Sequence, residues 1–269
     1  MYRIGCCLPG KATDKSQTND PGEIVKINLD ILEECGFDYG ECSAASLLSL
    51  PAEALEDLAG RFQANRLHIE ACNCFIPGTF SILRNPEGSE LLSYVEELFA
   101  RMEKVGAEII VFGSGKARNI PENLNPAEAR EKLDIFLTRV NAPAAAHHIT
   151  VVIEPLRSKE TNFIHTVSEG AEIAAGLNLS NIKLLADFYH MYYEEEPLDS
   201  LRKNQEFLRH IHIAEPPMRV CPGKCGGDYL NKFAEMLRST SYCGRVSAEC
   251  SLDLQTEGRQ AAAFMRKHF

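Results

Sequence analysis

Val151-Val-Ile-Glu-Pro-Leu-Arg-Ser-Lys-Glu-Thr-Asn-Phe163 opens as a strand and breaks off on a carboxylate. Thr150, Val151, Val152 and Ile153 are all β-branched, the composition of a short buried strand. Glu154 follows, and Pro155 ends the ladder because it has no N–H to donate. A carboxylate at the end of a buried strand is costly unless something pairs with it. Two readings stay open at this point: an ordinary ion pair at a strand end, or a metal ligand or catalytic acid/base at the mouth of a barrel.

Outward from this stretch the same unit recurs. Strand patterns are expected at residues 3–8, 37–42, 66–72, 108–112, 150–153, 182–187, 210–213 and 245–249. Helical patterns follow them at 22–35, 51–65, 86–105, 126–147, 166–177, 197–208, 227–240 and 257–268. Gly36 and Gly106 stand where a left-handed stop is wanted, the helix over 166–177 is stopped near Gly176, and Pro143 is expected to kink or shorten its helix. Strands alternating with helices imply a parallel sheet, and eight such units in a chain of this length close into an α/β (β/α)8 TIM barrel. The competing architecture is an open doubly wound sheet. Against it, no Gly-x-Gly-x-x-Gly turn follows the first strand.

The bulk properties agree with one domain spanning residues 1–269: 45% of the chain is hydrophobic, enough for a core that needs no disulfide or metal. A net charge of −10 with no Lys/Arg-rich run disfavours a phosphate-gripping face, so nucleic acid is not an expected partner. The N-terminus lacks the pattern of a signal peptide, and nowhere do roughly 18 apolar residues run together, so neither secretion nor a membrane span is expected. The expected location is the cytoplasm, with the ten cysteines as free thiols. Cys221-Pro-Gly-Lys-Cys225 has the spacing of half a zinc site, but no second Cys/His pair lies at a matching distance.

In a (β/α)8 barrel the chemistry gathers where the strands end. Strand five ends on Glu154, strand six on Asp187 and strand eight on Glu249, while strand seven carries His212. Four consecutive strands therefore bring three carboxylates and one imidazole to one side of the mouth. That donor set suits one divalent cation, Mn2+ first, with Mg2+, Co2+ or Zn2+ as alternatives, and no organic cofactor. His190, three residues after Asp187, puts a second imidazole at the rim as a ligand or as a donor to a substrate oxygen. His210 shares a strand face with His212 one layer deeper, where it supports the site or the core. Strands two to four end in Glu41, Cys72 and Phe112 with no histidine. Glu154 and Glu249 come from strands that are not neighbours. A substrate held through two oxygens would have a carboxylate on either side, one to take a proton from a carbon beside a carbonyl and one to return a proton to the other face. The metal would stabilise the enediolate between these steps.

Ile153-Glu-Pro-Leu-Arg-Ser-Lys-Glu-Thr-Asn-Phe163, Asp187-Phe-Tyr-His-Met191, His210-Ile-His212 and Glu249 together resemble the xylose-isomerase-like sugar isomerase/epimerase superfamily. Within it they look most like the D-tagatose and D-psicose (D-allulose) 3-epimerases, and the likeness runs through the whole barrel in order. Gly113-Ser-Gly, Arg118 and Pro121-Glu122 also resemble a loop common in that superfamily. The resemblance implies that Glu154, Asp187, His212 and Glu249 are the metal ligands and that Glu154 and Glu249 exchange the proton. It also implies that His190 and Glu160 hydrogen-bond substrate hydroxyls, that Arg219 contacts substrate, and that the chain forms a homodimer or homotetramer. Arg219 stands one residue later than the pattern has it, after Pro216-Pro217, and Phe188 is bulkier than the small polar residue common there, which is expected to reshape the pocket floor.

The expected activity is thus metal-dependent epimerisation of a ketose at C3. Other enzymes on the same scaffold stay open: hydroxypyruvate isomerase, inosose dehydratase or isomerase, and a sugar-phosphate epimerase in which Arg118, Arg157 or Arg219 would serve the phosphate. Two readings of other classes are weaker. An endonuclease IV-like repair enzyme resembles a multi-zinc site needing more histidines at the strand ends, and a non-catalytic sugar-binding barrel has no use for two opposed carboxylates.

Overall fold

Eight parallel strands close on themselves in chain order in the computed structural model, which describes residues 2–11 and 18–269. They are β1 (Arg3–Cys7), β2 (Tyr39–Ser43), β3 (Ile69–Asn73), β4 (Ile109–Phe112), β5 (Thr150–Ile153), β6 (Ile182–Asp187), β7 (Leu208–Ile213) and β8 (Arg245–Ala248). The last strand returns to the first, with Gly5 beside Ser247, and this closure rules out the open doubly wound sheet.

The long helices begin and end for local reasons. Asp20 caps the helix Pro21–Cys35 by accepting from the backbone N–H of Glu23, and Gly36, at φ 92°, ends it. Asn125 and Thr166 open the helices Pro126–Ala146 and Val167–Leu177 with capping boxes. Pro143 lies in the last turn of its helix, which ends at Ala146. The helix Val167–Leu177 runs past Gly176 to stop on Asn178 at φ 48°, because asparagine also tolerates the left-handed region. The helix expected over 197–208 shrinks to Asp199–Lys203, since β7 already begins at Leu208. Three short helices are additional: Ala44–Ser49, Gly115–Arg118 and Phe188–Tyr193 all lie just beyond strand ends, on the side that carries the site.

Side chains alternate along each strand, so two cores form. Between strands and helices lies the larger one, built on residues such as Leu29, Leu32, Phe99, Phe136, Phe233 and Met265. Inside the barrel Tyr39, Ala71, Ile109, Val111, Val152 and Leu185 make a separate small cluster. Tyr39 crosses the lumen over Gly5, where any Cβ would overlap its ring. At the N-terminal ends of the strands Arg245 donates to Glu70 (2.7 Å) and to Glu108 (2.7 Å), and Arg3 also pairs with Glu70. Ion pairs at that end of a barrel serve stability, which leaves the other end for chemistry. Among the described residues no helix is long and apolar enough to cross a membrane.

Candidate metal centre

Glu154 is the first residue past β5. Its backbone N–H still donates to Phe112 O (3.2 Å), so the carboxylate leaves the sheet from a fixed point. Arg118 secures the same point from below. It is fully buried, and its guanidinium donates to the carbonyls of Phe112 (2.9 Å), Glu154 (2.8 Å) and Ile164 (3.4 Å). Burial pushes the Arg118 guanidinium down to about 10. A side chain spent on three backbone carbonyls is not free for a substrate phosphate, so the phosphate role considered for Arg118 is overturned. Gly113 completes the seat: a Cβ there would overlap Glu154 Oε2 and stand 3.3 Å from its Cδ.

Asp187 ends β6 and caps the helix Phe188–Tyr193 through Oδ1, which accepts from Tyr189 N (2.7 Å). Oδ2 is left facing the mouth, 3.5 Å from His190 Nε2 and 3.4 Å from Arg219. Glu249, just past β8, donates its backbone N–H to Ile213 O (3.0 Å) and pairs with Arg219 through Oε2. His212, in β7, is fully buried. Its Nδ1 lies 3.4 Å from Glu154 Oε1 and 3.2 Å from Glu249 Oε2. One ligand atom from each of Glu154, Asp187, His212 and Glu249 falls within 4.8 Å of every other. The structure therefore brings together the four residues picked out by strand-end position.

The charges in this cluster do not balance by themselves. Burial raises the Glu154 carboxyl, Glu249 adding to the shift and His212 opposing it. Burial would also raise Glu249, but His212 and Arg219 outweigh it and hold its carboxyl at about 2. Burial works against the His212 imidazolium, yet Glu41 and Glu249 keep it well above its ordinary value. Glu154 Oε1 and His212 Nδ1 are buried without a hydrogen-bond partner. Three carboxylates around an imidazole nitrogen, with two orphaned atoms pointing at one another, fit a small divalent cation between them.

His190 is nearly fully buried, and its Nδ1 accepts from Arg157 N (3.3 Å). That bond puts the ring hydrogen on Nε2, which faces the mouth beside Asp187 Oδ2 (3.5 Å) and makes no hydrogen bond. Arg219 reaches the cluster despite its displaced position. The backbone folds back at an antiparallel bridge between Glu215 and Val220, and Arg219 adopts φ 53°, so its guanidinium meets Asp187 and Glu249 and covers the ring of Tyr189 (5.0 Å). Glu160 stays outside the cluster. It accepts from Arg157 (2.6 Å), whose guanidinium covers the same Tyr189 ring (5.0 Å). Phe188 does not form the pocket floor as expected. It turns into the helix layer against Phe233 (5.1 Å), because the first residue after the Asp187 cap points outward.

The Cys221–Cys225 turn is organised by a carboxylate. Glu215 accepts from Gly223 N (2.7 Å) and from Cys225 N, with Cys221 buried and Cys225 exposed. Lys224, which the sequence left without a role, pairs with Glu257 and ties the turn to the last helix. Two residues beside the candidate cluster went unrecognised. Gly113 is one, read only as part of a loop. Glu41 is the other: fully buried, it lies between His210 and His212 and not at an outer strand end. Burial would raise its carboxyl, but the two imidazoles hold it well below the carboxylate range. The alternation of Tyr39, Gly40 and Glu41 was a usable signal, since it points Tyr39 and Glu41 into the same lumen as the histidine pair.

Comparison with known proteins adds to this geometry. Residues 29–268 match the family described as the xylose isomerase-like TIM barrel. The chain is 30% identical over 228 residues to 3-dehydro-D-guloside 4-epimerase of Escherichia coli K12, covering 81% of this chain and 84% of that protein. It is 27% identical over 227 residues to D-psicose 3-epimerase of Enterocloster bolteae, covering 82% and 75%. A crystal structure of D-psicose 3-epimerase in the presence of D-fructose superposes with a TM-score of 0.80 at 18% identity, over 99% of both chains.

Proposed function

The chain belongs to the xylose isomerase-like TIM barrel family, and we propose that it is a metal-dependent sugar epimerase, one domain over residues 1–269, that inverts a carbon next to a carbonyl. The observation that carries this reading is the approach of Glu154 and Glu249 to one ligand cluster from non-adjacent strands, 3.4 and 3.2 Å from the same imidazole nitrogen. Binding alone has no use for two such carboxylates. Glu154, Asp187, His212 and Glu249 would hold the ion, Mn2+ first on this donor set, and it would act as a Lewis acid toward two sugar oxygens and offset the charge of the enediolate.

The rest falls to the chain's own groups. One carboxylate of the Glu154/Glu249 pair takes the proton from carbon, and the C–H electron pair becomes the C=C bond of the enediolate. The other member of the pair, present as the carboxylic acid, gives its proton to the opposite face: the C=C pair forms the new C–H bond, and the enediolate oxygen's electrons re-form the carbonyl beside an inverted centre. The different surroundings of the two carboxyls, Glu154 raised and Glu249 held low by Arg219 and His212, suit a pair with opposite proton duties. His190 donates from Nε2 to a substrate oxygen, while Arg219 and Glu160 take hydroxyls at the rim.

For the substrate, the motifs support a free ketose inverted at C3. A second reading is supported by the 30% identity to a 4-epimerase of a keto-sugar glycoside: the same proton transfer, beside a ketone at C3, inverts C4. Assembly into two or four copies and a cytoplasmic location belong to this proposal, and a monomer mass by light scattering at high concentration refutes the assembly. The deciding experiment is proton NMR in D2O with Mn2+, with and without EDTA, on free ketohexoses, ketopentoses, hydroxypyruvate and methyl 3-keto-hexosides. EDTA-sensitive deuterium uptake at C3 of a ketose supports the first reading, and uptake at C4 of the keto-hexoside supports the second. Exchange at C1 means aldose–ketose isomerisation, and no exchange at all refutes the epimerase.

A further inference from the structure

Glu41 takes no part in the chemistry above, yet it is a fully buried carboxylate inside the barrel. It enters from β2, passes β1 and β8, and meets β7 on the far side of the lumen. Oε1 accepts from His212 Nε2 (2.9 Å), and Oε2 faces His210 Nε2 (2.9 Å) and accepts from Ser247 Oγ (2.7 Å). Ser247 Oγ is itself bonded to Tyr39 OH (2.8 Å). Glu41, His210, His212, Ser247 and Tyr39 are all fully buried, so this carboxylate has no freedom to turn.

We infer that Glu41 is a positioning residue of the metal centre: by holding Nε2 of His212 it aims Nδ1 of that ring at Glu154 and Glu249. The inference rests on the metal-centre reading given above. A carboxylate only accepts, so the Nε2 it holds carries the hydrogen and the lone pair for a cation is left on Nδ1. The two ring nitrogens point apart, so a fixed partner on one fixes the direction of the other. Nδ1 does point at the cluster, 3.4 Å from Glu154 Oε1 and 3.2 Å from Glu249 Oε2. His210 has no contact of this kind with the ligands. It braces Glu41 from Oε2, and its ring packs edge-on against His212 (5.0 Å) without a hydrogen bond to that ring.

The test uses the full-length protein stripped of metal, titrated with Mn2+ alone, with free Mn2+ read by electron paramagnetic resonance and folding by circular dichroism. Glu41→Gln keeps the size of the side chain and removes its charge. Glu41→Asp keeps the charge and withdraws it by one methylene. Each is expected to weaken Mn2+ binding roughly 10- to 100-fold, the range for loss of a carboxylate behind a ligating histidine, with the apo-protein still folded. His210→Gln, which leaves the Glu41–His212 bond in place, is expected to bind Mn2+ within about threefold of wild type on the same reasoning. Wild-type affinity in both Glu41 variants overturns the inference. So does an equal loss in His210→Gln, which would make the network a matter of core integrity. If the wild type itself binds no Mn2+, the metal-centre reading fails and this inference falls with it, an outcome distinct from the other two.

Discussion

Gly113→Ala tests the site through sterics alone. Gly113 has no left-handed φ, so alanine fits its backbone without strain, and a Gly-to-Ala change at a compatible position stabilises a chain by roughly 0.4–1 kcal/mol. The new methyl would overlap Glu154 Oε2 and stand 3.3 Å from Glu154 Cδ and 3.5 Å from Leu156 Cδ2. Restoring ordinary van der Waals separation requires the carboxylate to retreat by roughly 1 Å. A side-chain end can make that move cheaply, so the fold should survive. Catalysis should not, because a displacement of about 1 Å in a reacting group costs on the order of 100-fold, or about 2.7 kcal/mol of transition-state stabilisation. The assay is kcat/KM on whichever sugar takes up deuterium, beside the thermal midpoint of the metal-free protein. Combining Gly113→Ala with Glu154→Gln should lose no more activity than Glu154→Gln alone, since both act on one carboxylate. Activity within twofold of wild type, or a double variant whose losses add, would refute the placement of Glu154.

Three further outcomes are expected. Glu154→Gln and Glu249→Gln should each remove roughly 10²- to 10⁴-fold in turnover with unchanged circular dichroism, and either variant working near the wild-type rate drops out of the proton-transfer pair. Arg118→Met should lower stability to urea by roughly 1–3 kcal/mol, the cost of one buried carbonyl left without a donor, since Glu154 O loses Arg118 while Phe112 O and Ile164 O keep the backbone N–H groups of Glu154 and Leu156; a loss well below about 1 kcal/mol would show that the guanidinium does not clamp Glu154. His147 is raised above its ordinary value by its hydrogen bond to Glu103 and, more weakly, to Glu96. A raised folded pKa stabilises below the unfolded pKa, and the gain is lost as pH rises through the folded value. With both carboxylates well exposed, His147→Gln should cost only about 0.2–1 kcal/mol at pH 5.5, less in high salt, and close to nothing at pH 9. An equal loss at both pH values removes the charge from the explanation.

How far the site was legible depended on how local its signals were. Glu154 and Asp187 each follow a β-branched or apolar run that stops on them, Glu249 follows the short strand Arg245–Ala248, and His212 follows the same alternation. A strand of period two puts its last inward residue at the mouth whichever barrel it joins. Arg219 was picked out by resemblance, and it reaches the cluster from its displaced position because the Glu215–Val220 bridge folds the backbone back toward the mouth. Phe188 was misjudged because its direction is set by the helix that Asp187 caps, a feature of a few residues that apolar periodicity does not register.

By itself the sequence determined the eight strand–helix units, the parallel order that follows from them, and the four candidate ligand positions, because each rests on hydrogen bonding and side-chain alternation within a few residues. Tertiary structure alone decided what stands behind those ligands. Glu41 meets His210 and His212 across 169 and 171 residues of chain, and Arg118 holds Glu154 across 36. No local pattern encodes such meetings. They exist because closing the barrel brings opposite walls of the lumen within one side chain's reach, and because groups sealed there must find hydrogen-bond partners among whatever the far wall presents.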